Sequence, residues 1–221
     1  MIRYIYLLVF LVFGLESRAQ TVSGSLMGHD YVDLGLPSGK KWATKNIGAS
    51  GPTEFGDYFA WGETKTKEEY NWDNYRFCKN KKQDETDFHP LDFTKYVISK
   101  KIGKVDRRTV LGTRNDVATA RWGKKWRMPT RDEMHELLEG CVWTFTEDFE
   151  GMDIAGYVGT SKQNGNTIFF PLINSLVAIW SSSLYEPACG VEACCFNFSE
   201  DGVEMSHSER SHGQNVRAVV K

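Results

Sequence analysis

The chain contains 221 residues, with 27 Lys and Arg against 29 Asp and Glu, which gives a formal net charge of −2. This length fits one domain, or at most two small ones. Because the chain has neither a basic excess nor a polybasic stretch, the composition argues against nucleic acid and against an anionic membrane surface as partners. Seven Trp, nine Tyr and thirteen Phe, together with 20 Gly, predict a compact, turn-rich domain rather than a helical bundle.

The N-terminal residues have the pattern of an export signal. An apolar run over residues 4–15 follows a basic residue, and Ser17 and Ala19 supply the small residues that signal peptidase needs for cleavage before Gln20. The run is shorter than the ~20 residues of a transmembrane helix. We therefore expect residues 1–19 to be a cleaved signal peptide. The mature chain is then exported to the periplasm, the cell surface or the medium, with no membrane insertion after cleavage.

The first part of the mature chain predicts short strands. Residues 20–30 show no periodicity and are predicted to be a flexible N-terminus. Strands are predicted at 31–36 and 41–44, separated by a turn at 37–39. The aromatic run at 58–61 is predicted to be a buried strand or extended segment.

Charged and amide residues dominate the next segment, 63–90, which predicts a solvated surface excursion. Its acidic group over residues 84–87 is interpreted as part of that solvated loop rather than as a calcium site. Aromatic side chains within the excursion are predicted to anchor it to the core. They are Tyr70, Trp72, Tyr75 and Phe77.

Two helices are predicted in the middle of the chain. The first covers residues 115–122, with Asn115 or Thr113 as its cap and Gly123 as its stop. The second begins after Thr130, since a Thr followed three residues later by a Glu is a capping-box pattern. Gly140 is expected to end the second helix in a left-handed conformation. The apolar stripe of this helix consists of Met134, Leu137, Leu138 and Cys141.

After the second helix the pattern changes to strands and turns. The dipeptide Asn164-Gly165 indicates a type I′ hairpin, and residues 200–202 indicate a second hairpin. Two helices followed by antiparallel strands define the α+β class. The predicted strands cover residues 142–145, 155–161, 167–170, 178–184, 194–198, 203–205 and 215–220.

The mature chain carries an odd number of cysteines: Cys78, Cys141, Cys189, Cys194 and Cys195. At least one is therefore unpaired or bonded to another molecule. Cys141 is predicted to be a buried free thiol because it lies on the apolar helix stripe. Cys194 and Cys195 point to opposite faces if they lie on a strand. A pairing of either with Cys189 stays open.

Several short motifs occur together in the order and spacing of a known family. They lie at residues 33–39, 41–44, 55–63, 105–111, 116–118, 122–123, 126–130, 164–166, 180–184 and 216–217. From about residue 31 to residue 221, the chain resembles the Fibrobacter succinogenes major paralogous domain.

This family is related to the formylglycine-generating-enzyme branch of the C-type-lectin-like fold. The resemblance implies a single C-type-lectin-like domain over 31–221, in which the N- and C-terminal strands lie near each other. Members occur in exported proteins of gut and rumen bacteria, and they are regarded as surface or adhesion-type binding domains.

The spacing of the cysteines and histidines does not match a known metal-binding motif. Formylglycine-type oxidation needs two suitably placed copper-binding thiols, and Cys189, Cys194 and Cys195 do not have that arrangement. Zinc ligands would also require a paired C-x₂-C motif and a matching histidine pair, which His207 and His212 do not supply. No cofactor is therefore predicted.

Two further segments lack the sequence motif that a calcium-dependent sugar site or a serine nucleophile needs. Residues 186–188, Glu-Pro-Ala, lack the amide oxygen of the calcium-dependent sugar-binding motif Glu-Pro-Asn. The serines at 181–183 lack the Gly-x-Ser-x-Gly elbow of a nucleophile and are predicted to face solvent or satisfy neighbouring backbone groups. The tryptophans Trp42, Trp61, Trp126, Trp143 and Trp180 are predicted to belong to the core.

The sequence favours an exported, non-catalytic binding or adhesion-type domain whose ligand is a glycan or a surface protein. We expect its ligand face in the irregular C-terminal region, because loops between strands carry function. The candidate ligand-binding residues are Tyr185, Glu186, His207, Arg210 and His212. Two alternatives stay open: a metal-dependent, formylglycine-generating-type enzyme that uses the cysteine–histidine group, and a structural subunit of a surface appendage.

Overall fold

A computed structural model describes residues 19–79, 92–173 and 176–221. The predicted signal peptide, up to residue 18, and the acidic group at 84–87 lie outside the described residues. Within the described ranges, three antiparallel sheets and two α-helices form a mixed α+β architecture, as the sequence predicts. No helix in these ranges is long and apolar enough to cross a membrane.

The central sheet brings the first and last strands of the described chain together. Its five strands are β1 (Gly24–Leu26), β2 (His29–Asp33), β3 (Lys41–Asn46), β4 (Trp126–Arg127) and β11 (Arg217–Val220). Their order is β1-β2-β3-β11-β4, and the C-terminal β11 pairs antiparallel with both β3 and β4. The C-terminal strand therefore lies in the same sheet as the N-terminal strands and is adjacent to β3.

Two three-stranded sheets complete the architecture. The first contains β5 (Cys141–Thr146), β6 (Gly156–Ser161) and β7 (Thr167–Pro171), in the order β5-β6-β7. The second contains β8 (Leu176–Leu184), β9 (Glu192–Ser199) and β10 (Gly202–Glu209), in the order β10-β9-β8. The hairpin predicted at 200–202 joins β9 to β10.

The prediction that residues 20–30 are a flexible segment without regular structure is wrong. They contain β1, which pairs antiparallel with β2. The Gln20 side chain donates to the Thr44 carbonyl oxygen at 2.7 Å and accepts from the Phe169 backbone N–H at 2.7 Å. A three-residue strand is too short to show alternation, so polar contacts with distant residues organise this segment.

The capping-box helix, α2 (Arg131–Gly140), is confirmed. The Thr130 hydroxyl accepts from the Glu133 backbone N–H at 3.3 Å, and the Glu133 carboxylate accepts from the Thr130 backbone N–H at 2.9 Å. Arg127 pairs with the same carboxylate. The beginning of this helix is thus fixed by local interactions that the sequence displays.

The predicted end of α2 is wrong. Gly140 belongs to the helix and does not have a positive φ, and Cys141 follows in an extended conformation with φ −115°. The helix passes directly into β5 without a left-handed turn. A Cβ atom at Gly140 would lie 2.4 Å from Leu36 Cδ2. The glycine therefore permits close packing against Leu36 rather than a special backbone conformation.

The shorter helix, α1 (Val117–Trp122), has a different cap from either predicted residue. The Asp116 carboxylate accepts from the backbone N–H of the third helical residue at 2.8 Å. Thr113 and Asn115 instead lie in a 3-10 turn that precedes the cap. Gly123 ends the helix with φ +90°, as predicted.

The loop between β6 and β7 is not the predicted type I′ turn. That turn needs a positive φ at both central residues, and only Gly165, not Asn164, has one, at +76°. The Gly165 backbone N–H donates to the Ser161 carbonyl oxygen at 3.0 Å. The connection is therefore longer than two residues, although the two strands pair as expected.

Aromatic residues form much of the core. Trp42, Trp61, Trp126 and Trp180 are fully buried, as predicted, and Trp143 is half-buried. The predicted anchoring of the surface excursion is confirmed as well. Trp72 and Tyr75 pack against Phe93, and Phe77 packs against Tyr96. Three of the four anchors are buried and one is half-buried. In chain order they are Tyr70, Trp72, Tyr75 and Phe77.

Arg210, expected at the ligand face, lies in the interior and is fully buried. Its guanidinium donates to the Tyr75 hydroxyl at 3.0 Å and to the carbonyl oxygens of Gly190 at 2.8 Å, Lys95 at 3.0 Å and Tyr96 at 3.2 Å. It therefore joins three separate loops and does not face solvent. Polarity and position between strands suggested exposure, but the tertiary fold surrounds this side chain.

Arg217 is a second fully buried guanidinium. It donates to the Asn46 side-chain oxygen at 2.8 Å and to the carbonyl oxygens of Ala43 and Phe169, each at 3.2 Å. Its guanidinium carbon lies 4.2 Å from the centroid of the Phe170 ring. Burial lowers the pKa of Arg217 to about 9. The residue links the central sheet to β7.

We expect Arg210→Lys to lower the free energy of unfolding by about 2–4 kcal/mol, because an ammonium group cannot reproduce the fork that reaches four acceptors. Urea unfolding followed by tryptophan fluorescence measures the change. Arg114→Lys is the matched control, since Arg114 is exposed, and its effect should stay within about 0.5 kcal/mol. Equal stability of the two variants would contradict the structural role of Arg210.

Candidate functional site

The structure separates the five candidate residues instead of joining them in one face. Tyr185 and Glu186 line one cleft, and His212 lines another. His207 stacks against Tyr185, and Arg210 is buried in the interior. We name the two depressions the Tyr185 cleft and the Tyr58 cleft, after an aromatic residue in each.

The extent of β10 explains this separation. The sequence predicted a strand over 203–205 followed by a polar loop, but β10 continues to Glu209. Its register places His207 opposite Cys194 and Glu209 opposite Glu192 on β9. Residues 206–209 have the polar composition of a loop although they form a strand. The reason is that β10 is an edge strand and both of its faces are partly exposed.

The Tyr185 cleft has a volume of about 500 Å³. It lies where the N-terminus of α2 meets the end of β8 and the 3-10 turn Glu186–Ala188. Its polar lining consists of Thr109, Arg131, Asp132, Ser183, Tyr185 and Glu186. Two carboxylates, one guanidinium and three hydroxyl groups therefore surround one depression.

Backbone hydrogen bonds hold the walls of this cleft in place. The Arg131 backbone N–H donates to the Ser183 hydroxyl at 3.1 Å, which attaches the beginning of α2 to β8. The Leu184 backbone N–H donates to the Thr109 carbonyl oxygen at 2.7 Å. The Ser181 hydroxyl donates to the Cys194 carbonyl oxygen at 2.8 Å. These serines thus satisfy neighbouring backbone groups, as predicted.

The ring of Tyr185 is fixed from one side. It stacks on the His207 imidazole with 3.9 Å between centroids and 8° between planes. His207 Nδ1 lies 2.6 Å from the Glu192 carboxylate. This chain of contacts limits the orientations available to Tyr185. Two of the five candidates, Tyr185 and His207, therefore act together, and Glu192 is a partner that sequence reasoning missed.

Arg131 and Asp132 were also missed as site residues. The predicted helix begins after Thr130, which puts both residues in its first turn, but no ligand role was predicted for them. Their position after the capping Thr130 was visible. The sequence did not show that this end of the helix approaches β8, because that contact depends on packing between segments about 50 residues apart.

The Tyr58 cleft has a volume of about 440 Å³. Its polar lining includes Tyr58, Tyr70, Ser208, His212 and Gln214. The Tyr70 hydroxyl donates to the Tyr58 carbonyl oxygen at 2.5 Å, and His212 Nδ1 lies 3.0 Å from the Ser208 hydroxyl. The two clefts share no lining residue.

Cys141, Cys189, Cys194 and Cys195, all in the described ranges, form no disulfide, so the open pairing with Cys189 is not made. Cys141 is buried, as predicted. Burial raises the pKa of Cys141 and Cys195 to about 12 and that of Cys194 to about 11. These three thiols therefore stay protonated at neutral pH, whereas nucleophilic attack and metal ligation need a thiolate.

The histidines of the proposed cysteine–histidine group are paired with separate carboxylates. His207 lies against Glu192, and His212 Nε2 lies 3.4 Å from Glu209. Across residues 19–79, 92–173 and 176–221, no three His, Cys, Asp or Glu side chains are grouped to hold a metal ion.

No protein-family model, no curated protein and no solved structure matches the chain. The C-type-lectin-like assignment accordingly rests on the sequence motifs alone.

We expect one thiol of the native protein to react quickly with a disulfide reagent. Cys189 is exposed, and the other four cysteines are buried. A disulfide reagent that releases a coloured thiolate should therefore titrate one group quickly in buffer and all five in guanidinium chloride. Cys189→Ser should abolish the fast phase. Two or more fast thiols in the parent chain would contradict the burial of the others.

The raised thiol pKa values also predict a loss of stability in alkali. A thiol that ionises near pH 9 when unfolded, but only near pH 11 to 12 when folded, stabilises the native state below pH 9. This contribution declines as the pH rises, by about 1.4 kcal/mol per pH unit for each thiol. The lowered pKa of Arg217 acts in the opposite direction over the same range. Three thiols outweigh one guanidinium, so stability should fall.

Urea unfolding at a series of pH values from 8 upward measures this dependence. Cys195→Ala should reduce its slope above pH 9 by about 1.4 kcal/mol per pH unit, because one buried thiol is removed. Parallel curves for the variant and the parent chain would show that Cys195 is not protected from ionisation.

Proposed function

We propose that this protein is an exported binding domain and that the Tyr185 cleft recognises a glycan. The proposal is carried by one observation: carboxylates, a guanidinium, hydroxyl groups and an oriented aromatic ring converge on a single depression of about 500 Å³. Export is inferred from the signal-peptide pattern at residues 1–19.

The chemistry of the cleft suits a ligand rich in hydroxyl groups. Asp132 and Glu186 are exposed carboxylates that accept hydrogen bonds from sugar hydroxyls, and the guanidinium of Arg131 donates to sugar oxygens. The hydroxyl groups of Ser183 and Thr109 can both donate and accept hydrogen bonds. Each sugar hydroxyl is both a donor and an acceptor, so a mixed lining satisfies it better than a lining of one kind.

The aromatic wall supports the same proposal. A half-buried tyrosine presents a large apolar surface together with a polar tip. The contacts of Tyr185 with His207 and of His207 with Glu192 restrain this ring before a ligand arrives. Such preorganisation lowers the entropic cost of binding. The 3-10 turn at Glu186–Ala188 then places the Glu186 carboxylate beside the ring.

A glycan array probed with the purified mature chain tests the proposal. We expect the chain to bind at least one class of glycan, and Tyr185→Ala and Glu186→Gln each to weaken that binding about tenfold, or by about 1.4 kcal/mol. Both side chains lie at the surface, so the variants should fold.

Glu139→Gln is the control, because Glu139 is an exposed carboxylate in the last turn of α2 and does not line the cleft. Its glycan binding should equal that of the parent chain. The proposal fails if no glycan binds, or if bound glycans are unaffected by both cleft variants. Capture of a surface protein through Tyr185 in the absence of glycan binding would point to a protein ligand instead.

A further inference from the structure

The Tyr58 cleft has a composition different from that of the Tyr185 cleft. Among the described residues, none of the side chains that line it is Asp, Glu, Lys or Arg. Its polar groups are two phenols, a hydroxyl, an imidazole and amides. A charged ligand would lose its hydration there without gaining a lining counter-charge, which is unfavourable. The lining therefore selects for uncharged ligands.

The inner wall of the cleft is built on a rigid strip over residues 213–215. Gln214 exchanges both of its backbone hydrogen bonds with Phe59, at 2.9 and 3.1 Å. On the opposite side, the Asn215 backbone N–H donates to the Ala178 carbonyl oxygen at 3.2 Å, and its carbonyl oxygen accepts from Trp180 at 2.9 Å. The Phe59 segment and β8 thus hold the strip from its two sides, and the wall exists before any ligand binds.

Two tyrosine rings supply the apolar surface of the cleft. Tyr58 is 39% exposed, an unusually high value for a large aromatic residue in this chain. Tyr70 packs against the backbone of Gly213 so closely that a Cβ atom there would lie 2.6 Å from the ring. Its hydroxyl is also occupied, because it donates to the Tyr58 carbonyl oxygen. The Tyr70 ring is therefore held against the strip over 213–215.

A buried acceptor in this wall lacks a partner. Gln214 is 7% exposed, and its Oε1 atom is buried without a hydrogen bond among the described residues. An unsatisfied buried amide oxygen destabilises the native state. Because Gln214 lines the cleft, a ligand hydroxyl that reaches the inner wall can supply the missing donor.

We propose that the Tyr58 cleft is a second ligand site, which binds the ring of a neutral hexopyranose. The apolar face of such a ring packs against an aromatic side chain, and its hydroxyls pair with Gln214 and Ser208. This site is separate from the Tyr185 cleft, with which it shares no lining residue. The chain then has two sites of different charge preference.

Saturation-transfer NMR with methyl hexopyranosides as probes tests this proposal. We expect a signal from at least one neutral methyl glucoside, galactoside or mannoside, with a dissociation constant in the millimolar range typical of so small a ligand. The corresponding methyl glucuronide should bind about tenfold more weakly, because its carboxylate finds no counter-charge in the lining.

Two variants locate the site. Tyr58→Ala should weaken binding of the neutral glycoside about tenfold. Gln214→Met keeps the length of the side chain but removes the amide, so it should also weaken binding while leaving the melting temperature unchanged or higher. A purely structural glutamine would instead lower the melting temperature when replaced. This second readout keeps the test valid if Tyr58→Ala folds poorly.

Tyr185→Ala is the matched control, since it truncates a tyrosine in the other cleft. It should retain binding of the methyl glycoside even if it abolishes binding on the glycan array, so the two sites can fail independently. The proposal is overturned if none of the neutral methyl glycosides gives a signal. It is also overturned if the signal survives both Tyr58→Ala and Gln214→Met, or if Tyr185→Ala removes it.

Discussion

The buried guanidinium of Arg210 is the interaction on which the arrangement of the C-terminal half depends. Its donors reach the Tyr75 hydroxyl and three main-chain carbonyl oxygens, including that of Gly190. The plane of the group also lies 4.4 Å from the Phe93 ring centroid. One side chain therefore fixes loops from three parts of the chain. It lies between the end of β10 and the strip over 213–215. Both clefts are built on elements adjacent to this junction.

The two clefts differ because different parts of the fold supply their walls. The Tyr185 cleft takes Arg131 and Asp132 from the beginning of a helix, where the dipole favours the Asp132 carboxylate. The Tyr58 cleft lies over strands and a clamped strip, where backbone groups pair with each other and the side chains are neutral. A single domain thus presents two surfaces with distinct chemistry.

Local signals in the sequence predicted local structure well. The capping box at Thr130, the stop at Gly123, the buried tryptophans and most strands were visible, because short-range hydrogen bonds and periodicity determine them. The errors arose where a distant contact decided the outcome. Gly140 permits the close packing of Leu36, and hydrogen bonds with Thr44 and Phe169 hold Gln20 in place. The cap of α1 is an exception, because Asp116 displaced the expected caps through a local hydrogen bond from the Thr119 backbone N–H.

The sequence by itself determined the α+β class, the capped helix and the aromatic core. Only the tertiary structure decided which polar residues are exposed. It buried Arg210, stacked His207 on Tyr185 and assigned His212 to a separate cleft. The physical reason is that a polar side chain has the same local pattern in a loop, on an edge strand or in the interior. Its position depends on acceptors supplied by segments that lie far away in the chain.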